Sequence, residues 1–302
     1  MNFIYYIFMC FIFGTTFLAI KIGVDAGMPP FLSAGLRFFL AGFIIASFLV
    51  LKKKASIRML FAKEMVITGV CLTFGTFSTL YWAEQYVSSG IAAVLSATGP
   101  MMIILIQMIF LKEQSAKYSF IGCFIGLAGV ILLVFQTFSV EANITWFIGC
   151  LAIIFGEVFY ASGTIYTKRV VQKYEATSPL ALNAAQMMNG GILLLLLSIF
   201  TEEIKLDYVQ PAAVGSLLYL IFVGSMLGHS FYYVLVSRTN PIFPSTWLYI
   251  SPLIALGVGA LLYGEEISIV SIIGAFLILA GTVLANKKML LKLINKKMRL
   301  TG

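Results

Sequence analysis

Apolar residues run along this chain for about the length of one membrane crossing, stop at a short polar or Pro/Gly interval, and begin again. The runs lie near 3–21, 32–51, 65–84, 91–111, 118–135, 146–167, 180–200, 212–236, 243–263 and 267–286. A helix needs roughly 20 apolar residues to span the hydrocarbon core, so the pattern predicts an all-α integral membrane protein with ten transmembrane helices. The first run has no basic n-region and no small-residue cleavage site, and reads as a retained helix instead of a signal peptide.

Composition agrees with the pattern. Of the 302 residues 61% are apolar and 11% charged, a balance that no water-soluble domain of this length carries. Ten helices of about 20 residues occupy about two-thirds of the chain and leave little for a soluble domain. Cys10, Cys71, Cys123 and Cys150 all sit inside apolar runs without metal-ligand spacing, and read as small packing residues.

The net charge of +8 becomes topology once it is mapped onto the runs. With both termini cytoplasmic, the inner segments hold Lys52, Lys53, Lys54, Arg58, Lys63, Lys112, Lys117, Lys168, Arg169, Lys173, Arg238 and a tail with Lys287, Lys288, Lys292, Lys296, Lys297 and Arg299. These are 17 of the 20 basic residues. The outer loops carry Asp25, Glu141, Glu202, Glu203, Asp207, Glu265 and Glu266, with Lys205 the one basic residue clear of a span. Basic residues are retained on the cytoplasmic side, and clusters at loop ends serve as anchors beside lipid head groups. A nucleic-acid partner is not expected.

A repeat lies beneath the pattern. "IGCFIGLAG" at 121–129 returns as "IGAFLILAG" at 273–281, identical at six of nine positions. At the same offset of 152, Pro100 falls on Pro252 and Glu113 on Glu265; with small shifts Lys21 falls on Lys168, Pro30 on Pro179 and Arg37 on Gln186. Each half then holds five helices. Five is odd, so the second half enters the membrane from the opposite side, placing Lys21 near one face and Lys168 near the other. The expected organisation is a first repeat at 1–139, a second at 140–288 and a basic tail at 289–302. Inverted repeats create a midplane site that rocking exposes to alternate sides.

These motifs resemble those of the drug/metabolite transporter superfamily, and specifically its ten-helix EamA-type carriers. The resemblance covers nearly the whole chain and rests on "FGTTFLAIKIG", "SAGLRFF", "SSGIAAVLSATGPMMIILI" running into "LKE", and the two "G…LAG" helices. Where that family usually has Trp, this chain has Phe13 in helix 1 and, on alignment, Tyr160 in helix 6. The resemblance implies a basket of ten helices around a cavity lined chiefly by helices 1, 3, 4, 6, 8 and 9, exporting or exchanging small metabolites. An amino-acid-like, nucleoside-like or amphipathic cationic substrate is compatible with it.

Polar residues inside apolar runs are the candidate chemistry. Pro100 and Pro252 fall within the runs of helices 4 and 9, where each removes a backbone donor and frees a carbonyl, acting as a static bend or as paired hinges. Ser96, Pro100, Ile103 and Gln107 share one stripe of helix 4. Glu157 stands near the middle of helix 6, where a charged carboxylate costs about 2.5–3.5 kcal/mol on insertion scales; Tyr160 and Thr164 continue its face. It is either a protonated carboxyl bonded to a neighbouring helix or a proton-coupling or cation-binding group. His229, the single histidine, is flanked by Ser225, Tyr232 and Tyr233, and is either a packing residue or a proton relay at the depth of Glu157. Arg37 lies about one turn inside helix 2, able to snorkel, with Asp25 or an anionic substrate group as its partner. Gln186 is its mate in the second half. Trp82, Tyr86, Trp247 and Tyr249 lie near corresponding ends of helices 3 and 9, as interfacial anchors or, where they face a cavity, as stacking groups.

No phosphate-cradling glycine loop, His-Glu-x-x-His or paired cysteine occurs, so neither an enzyme nor a cofactor is expected. A secondary carrier in a cell membrane, most simply a bacterial one, is the first reading, with a small-molecule substrate, lipid contacts, proton coupling through Glu157 and a monomeric or homodimeric state. A channel-like or sensory membrane protein without alternating access is the second.

Overall fold

The computed structural model describes residues 2–112, 117–135, 144–204, 210–238, 244, 247–285, 287 and 291. The expected boundary at 139/140, the tail at 289–302 apart from residue 291, and Glu113, Glu141, Lys205, Asp207 and Lys288 lie outside the described residues.

Each apolar run folds as helix and ends where local chemistry stops one. α1 (Asn2–Asp25) is followed by Gly27 at φ +87°, and the Gly27 and Met28 amides donate back to Val24 and Gly23 at 3.0 and 3.1 Å. A side chain is disfavoured in that left-handed position. α2 (Pro30–Leu51) begins with proline, whose missing N–H is not needed in a first turn. The third run is divided into α3 (Ile57–Leu60), α4 (Lys63–Gly69), a π-helical segment Val70–Gly75 and α5 (Thr76–Ala83). After it come α6 (Ser89–Ser96), α7 (Gly99–Ile109), α8 (Lys117–Phe135), α9 (Ile144–Lys173) and α10 (Pro179–Thr201). α11 (Pro211–Tyr219), a second π-helical segment Leu220–His229 and α12 (Ser230–Arg238) form one rod, followed by α13 (Trp247–Tyr263) and α14 (Ile269–Ala285).

Among the described residues there is no strand. Seven continuous helical stretches among the described residues are long and apolar enough to cross a membrane: Asn2–Asp25, Pro30–Leu51, Lys63–Ala83, Ser89–Ile109, Ile144–Lys173, Pro179–Thr201 and Pro211–Leu235. Three apolar helices, Ile121–Leu132, Trp247–Tyr263 and Ile269–Ala285, are shorter. Large apolar side chains such as Phe124, Leu261 and Phe276 point outward, while alanines, glycines and hydroxyl residues fill much of the interior. Such an arrangement suits lipid, where association depends on close packing of small residues.

The two similar nonapeptides lie on helices that pack against each other, α8 on α14. A Cβ on Gly129 would stand 2.8 Å from the Gly274 carbonyl oxygen and 2.9 Å from the Ile278 nitrogen, and one on Gly281 would meet the backbone of Gly122 and Gly126. The glycines therefore set how closely the two backbones approach. α2 packs on α10 in the same manner, a Cβ on Gly42 lying 2.7 Å from the Ala184 carbonyl. Elsewhere α1 runs between α13 on one side and α11 on the other, and α9 contacts both α5 and α7.

Pro100 does not bend an unbroken helix. Ala97 and Thr98 form a turn after α6, and Pro100 occupies the first turn of α7, where its missing donor costs nothing. Pro252 does stand inside α13.

Candidate functional site

Eight stretches of helix converge on an internal cavity of about 80 Å³, enough for several waters. Residues of both halves line it: Phe13 and Thr16 of α1, Arg37 of α2, Thr76 and Phe77 of α5, Ser96 of α6, Glu157, Tyr160 and Thr164 of α9, Gln186 of α10, His229, Tyr232 and Tyr233 around α12, and Trp247 of α13. The two π-helical segments, Val70–Gly75 and Leu220–His229, both border it through Leu72 and His229. Wide turns of this kind are frequent at functional sites.

Glu157 is 4% exposed. Ser96 lines the cavity with it, while Oε2 has no hydrogen-bond partner among the described residues. A Cβ on Gly99 would collide with that oxygen and come within 3.1 Å of the Tyr160 ring. The break in the fourth run thus has a purpose at the site: it brings Ser96 and the start of α7 against a carboxyl group on α9. Helix starts present free N–H groups and a positive dipole end. Gln186, 1% exposed, accepts from the Thr73 hydroxyl at 2.8 Å on the neighbouring π-helical segment.

Arg37 is not paired with Asp25. It is 1% exposed, donates from Nε to Ser225 Oγ at 2.9 Å and from Nη1 to the Tyr81 hydroxyl at 3.2 Å, and lies 4.6 and 5.3 Å from the centres of the Phe38 and Phe77 rings. Gly224 leaves room for it, since a Cβ there would stand 3.2 Å from Nη2. Asp25 instead takes Lys21 at 2.9 Å and the Tyr263 hydroxyl at 2.9 Å. The face of α2 that carries Arg37 is turned inward, toward the hydroxyls of α5 and the second π-helical segment.

His229 sits in an aromatic box, its ring 5.1 Å from Phe13, 5.8 Å from Phe38 and 6.3 Å from Phe77. Among the described residues it makes no hydrogen bond to Glu157. Gln107 is half-buried on α7 away from the cavity, and Tyr249 is half-buried on α13, also off its wall. Trp82 lines a separate open pocket with Gln85, Tyr86 and Glu203, its ring 5.3 Å from that of Tyr86.

Several wall residues escaped sequence reasoning. Thr16, Thr76 and Phe77 carry no signal apart from a helix face, since threonine and phenylalanine are ordinary in apolar runs. Glu84, immediately after α5, was also missed because it stands at the edge of a run, where a carboxylate is expected in water. It is 0% exposed.

The profile of the EamA-like transporter family matches this chain twice, over residues 2–135 and 147–287. The chain is 31% identical over 266 residues to an uncharacterized inner membrane transporter, YedA, of Escherichia coli (strain K12), covering 85% of this chain and 81% of that one. It is 26% identical over 277 residues to a probable amino-acid metabolite efflux pump of Salmonella typhimurium, covering 89% of each. A crystal structure of another protein shares the fold with a TM-score of 0.66 at 15% identity, covering 94% of this chain and 96% of that one. Apolar helices around an internal cavity, two family matches that together span nearly the whole chain and a relative above 30% identity make this chain a multi-pass membrane transporter of the EamA-like transporter family.

Proposed function

We propose that the protein is a secondary carrier that exports or exchanges a small metabolite by alternating access, with Glu157 exchanging a proton for the substrate. Ten spans arranged as two inverted five-helix repeats, 1–139 and 140–288, are the framework of this reading, with both termini cytoplasmic. Its support is the pairing of the helices. Exchanging the first five runs for the last five converts the α2–α10 and α8–α14 contacts into themselves, converts α1–α13 into α9–α7, and converts α1–α11 into α9–α5; all of these contacts are present. The aligned mates Arg37 and Gln186 both line the cavity, and a site between inverted halves can be opened from either side by rocking.

The observation that carries the mechanism is the Glu157 carboxyl, buried on the cavity wall that Ser96 shares, with Oε2 unpartnered among the described residues. An intramembrane carboxyl is expensive to keep unless it binds something. A substrate group and a proton competing for it would couple the two flows, since each lowers the affinity for the other by the same factor. The opposite pole is the Arg37 guanidinium, held among the described residues by neutral hydroxyls and rings. An amino-acid-like solute, with a carboxylate for Arg37 and an ammonium for Glu157, fits this pair better than a simple cation does, and a relative is named for amino-acid metabolites. His229 serves as part of the aromatic wall, not as a relay.

Counterflow in proteoliposomes with a panel of amino acids, nucleosides and organic cations tests the carrier. Saturable uptake accelerated by internal substrate is expected; flux without saturation or acceleration would make the protein channel-like. Glu157→Gln should abolish accumulation driven by a pH gradient while leaving exchange measurable. Accumulation equal to the parent's would remove the proton role.

A further inference from the structure

The end of the bundle that carries Lys21 holds a carboxyl group with no task in the mechanism above. Glu84 follows the last residue of α5 and is 0% exposed, and neither of its carboxyl oxygens has a hydrogen-bond partner among the described residues. A carboxylate buried without donors is far more costly than the neutral acid in the same place.

Its surroundings are charged and come from both halves. From α1, Lys21 donates to the Glu84 backbone carbonyl at 2.9 Å while its other contact is Asp25 at 2.9 Å. From α2, Arg37 acts on Glu84 at longer range, and Tyr81 lies one turn back on its own helix. From the connection between α13 and α14 comes Glu265, whose carboxylate accepts the Ser89 and Gly90 amides at 2.8 and 3.1 Å and so caps α6. Ser89 Oγ, 0% exposed, likewise has no partner among the described residues. Asp25 is tied to the second half by the Tyr263 hydroxyl at 2.9 Å. Lys21 is therefore held by its backbone contact to the residue whose side chain lacks a donor, while its charge is satisfied by Asp25.

We propose that Glu84 is a second proton-binding carboxyl of the carrier, protonated while this end is closed, and that it releases its proton to water and takes Lys21 as counter-ion when the two halves part there. The proposal rests on the alternating-access reading. Parting the halves breaks the Tyr263–Asp25 contact and pulls Glu265 from the start of α6. Water then reaches Glu84, and the ammonium that faced Asp25 has a second anion beside it. Closing reverses the step: Glu84 takes up a proton from that side, and Lys21 returns to Asp25. One proton is bound and one released per cycle, and apart from that proton no covalent bond changes.

The full-length protein in lipid, without added substrate, can be titrated by infrared difference spectroscopy on the carbonyl stretch of protonated carboxyl groups. The parent should lose two such bands as pH rises, one removed by Glu157→Gln and the other by Glu84→Gln. Glu84→Asp should retain the second band at shifted pH, and Lys21→Met should make it persist to higher pH. Holding this end closed, by bridging Asp25→Cys to Tyr263→Cys with a short bifunctional reagent in a background lacking the four native cysteines, should make the Glu84 band resist alkaline pH more than in the same double variant left unbridged. An unchanged spectrum in Glu84→Gln of native gel-filtration profile would overturn the proton site; unchanged titration in the bridged protein would overturn its link to opening. Failure of counterflow in the parent would instead remove the carrier reading and leave the two-band titration standing.

Discussion

At the scale of single residues, Arg37 is the charge whose setting is easiest to misjudge. Two neutral hydroxyls and two aromatic faces hold it, so no carboxylate among the described residues compensates its charge at contact distance. A guanidinium keeps both hydroxyl contacts through a rigid fork while stacking on rings, which a lysine ammonium cannot do. Hydrogen bonds to charged groups are worth about 1.5–3 kcal/mol. Arg37→Lys should therefore raise the KM for counterflow roughly tenfold or more and lower the thermal midpoint as the Ser225 and Tyr81 contacts are lost. A parent-like KM would make Arg37 a structural residue. Glu157, Ser96 and His229 were legible in the sequence because a polar side chain inside an apolar run has to be housed somewhere. The partner of Arg37 was not, because the edge of an apolar run fixes depth to no better than a turn, and one turn separates water from the cavity. Glu84 was hidden by the same ambiguity in reverse: at the edge of a run it looked solvated, yet helices from both halves close over it.

At the scale of elements, the sequence supplied the repeat but not what the repeat does. The similar glycine-rich stretches at 121–129 and 273–281 pointed to close packing, and the structure supplies the partner, since each packs on the other. Glycines in this fold differ sharply in what a methyl group would meet. At Gly129 the obstacles are backbone atoms at 2.8 and 2.9 Å, which cannot rotate away, so α8 and α14 would have to separate. At Gly257, inside α13, nothing lies within 4 Å. Gly129→Ala should destabilise by about 1–3 kcal/mol, as overpacking does. Gly257→Ala should be neutral or stabilise by up to about 1 kcal/mol, as alanine is the better helix former. Apparent melting in detergent checks both, and equal effects would mean that the glycines do not set the crossing. The break between α6 and α7 was not legible. A proline inside an apolar run predicts a bend, but only the turn at Ala97 and Thr98 brings Ser96 and Gly99 to Glu157.

At the scale of the whole molecule, the two halves are tied at two places far apart in the fold. One tie joins α4 to the end of α9, where Lys173 pairs with Glu64 and the Tyr174 hydroxyl donates to the same carboxylate at 3.0 Å. The other joins the end of α1 to the end of α13 through Asp25 and Tyr263. If the halves rock, each tie favours closure at its own end, and loosening one moves the population toward states open there. Thr167, 6% exposed on the cavity wall, provides the reporter as Thr167→Cys in a background without the native cysteines, labelled by an impermeant maleimide from the side of Lys173. Glu64→Gln should raise the labelling rate at low salt. Lys173 is 60% exposed, so its pair with Glu64 is open to screening by ions, and the difference between parent and variant should narrow as salt is added. Asp25→Asn, acting at the other end, should lower the rate on the same reporter, because a population shifted toward one opening is withdrawn from the other. Opposite signs from two distant substitutions are what rocking about a central site requires. Changes of the same sign would mean that the ties merely stabilise a single static bundle.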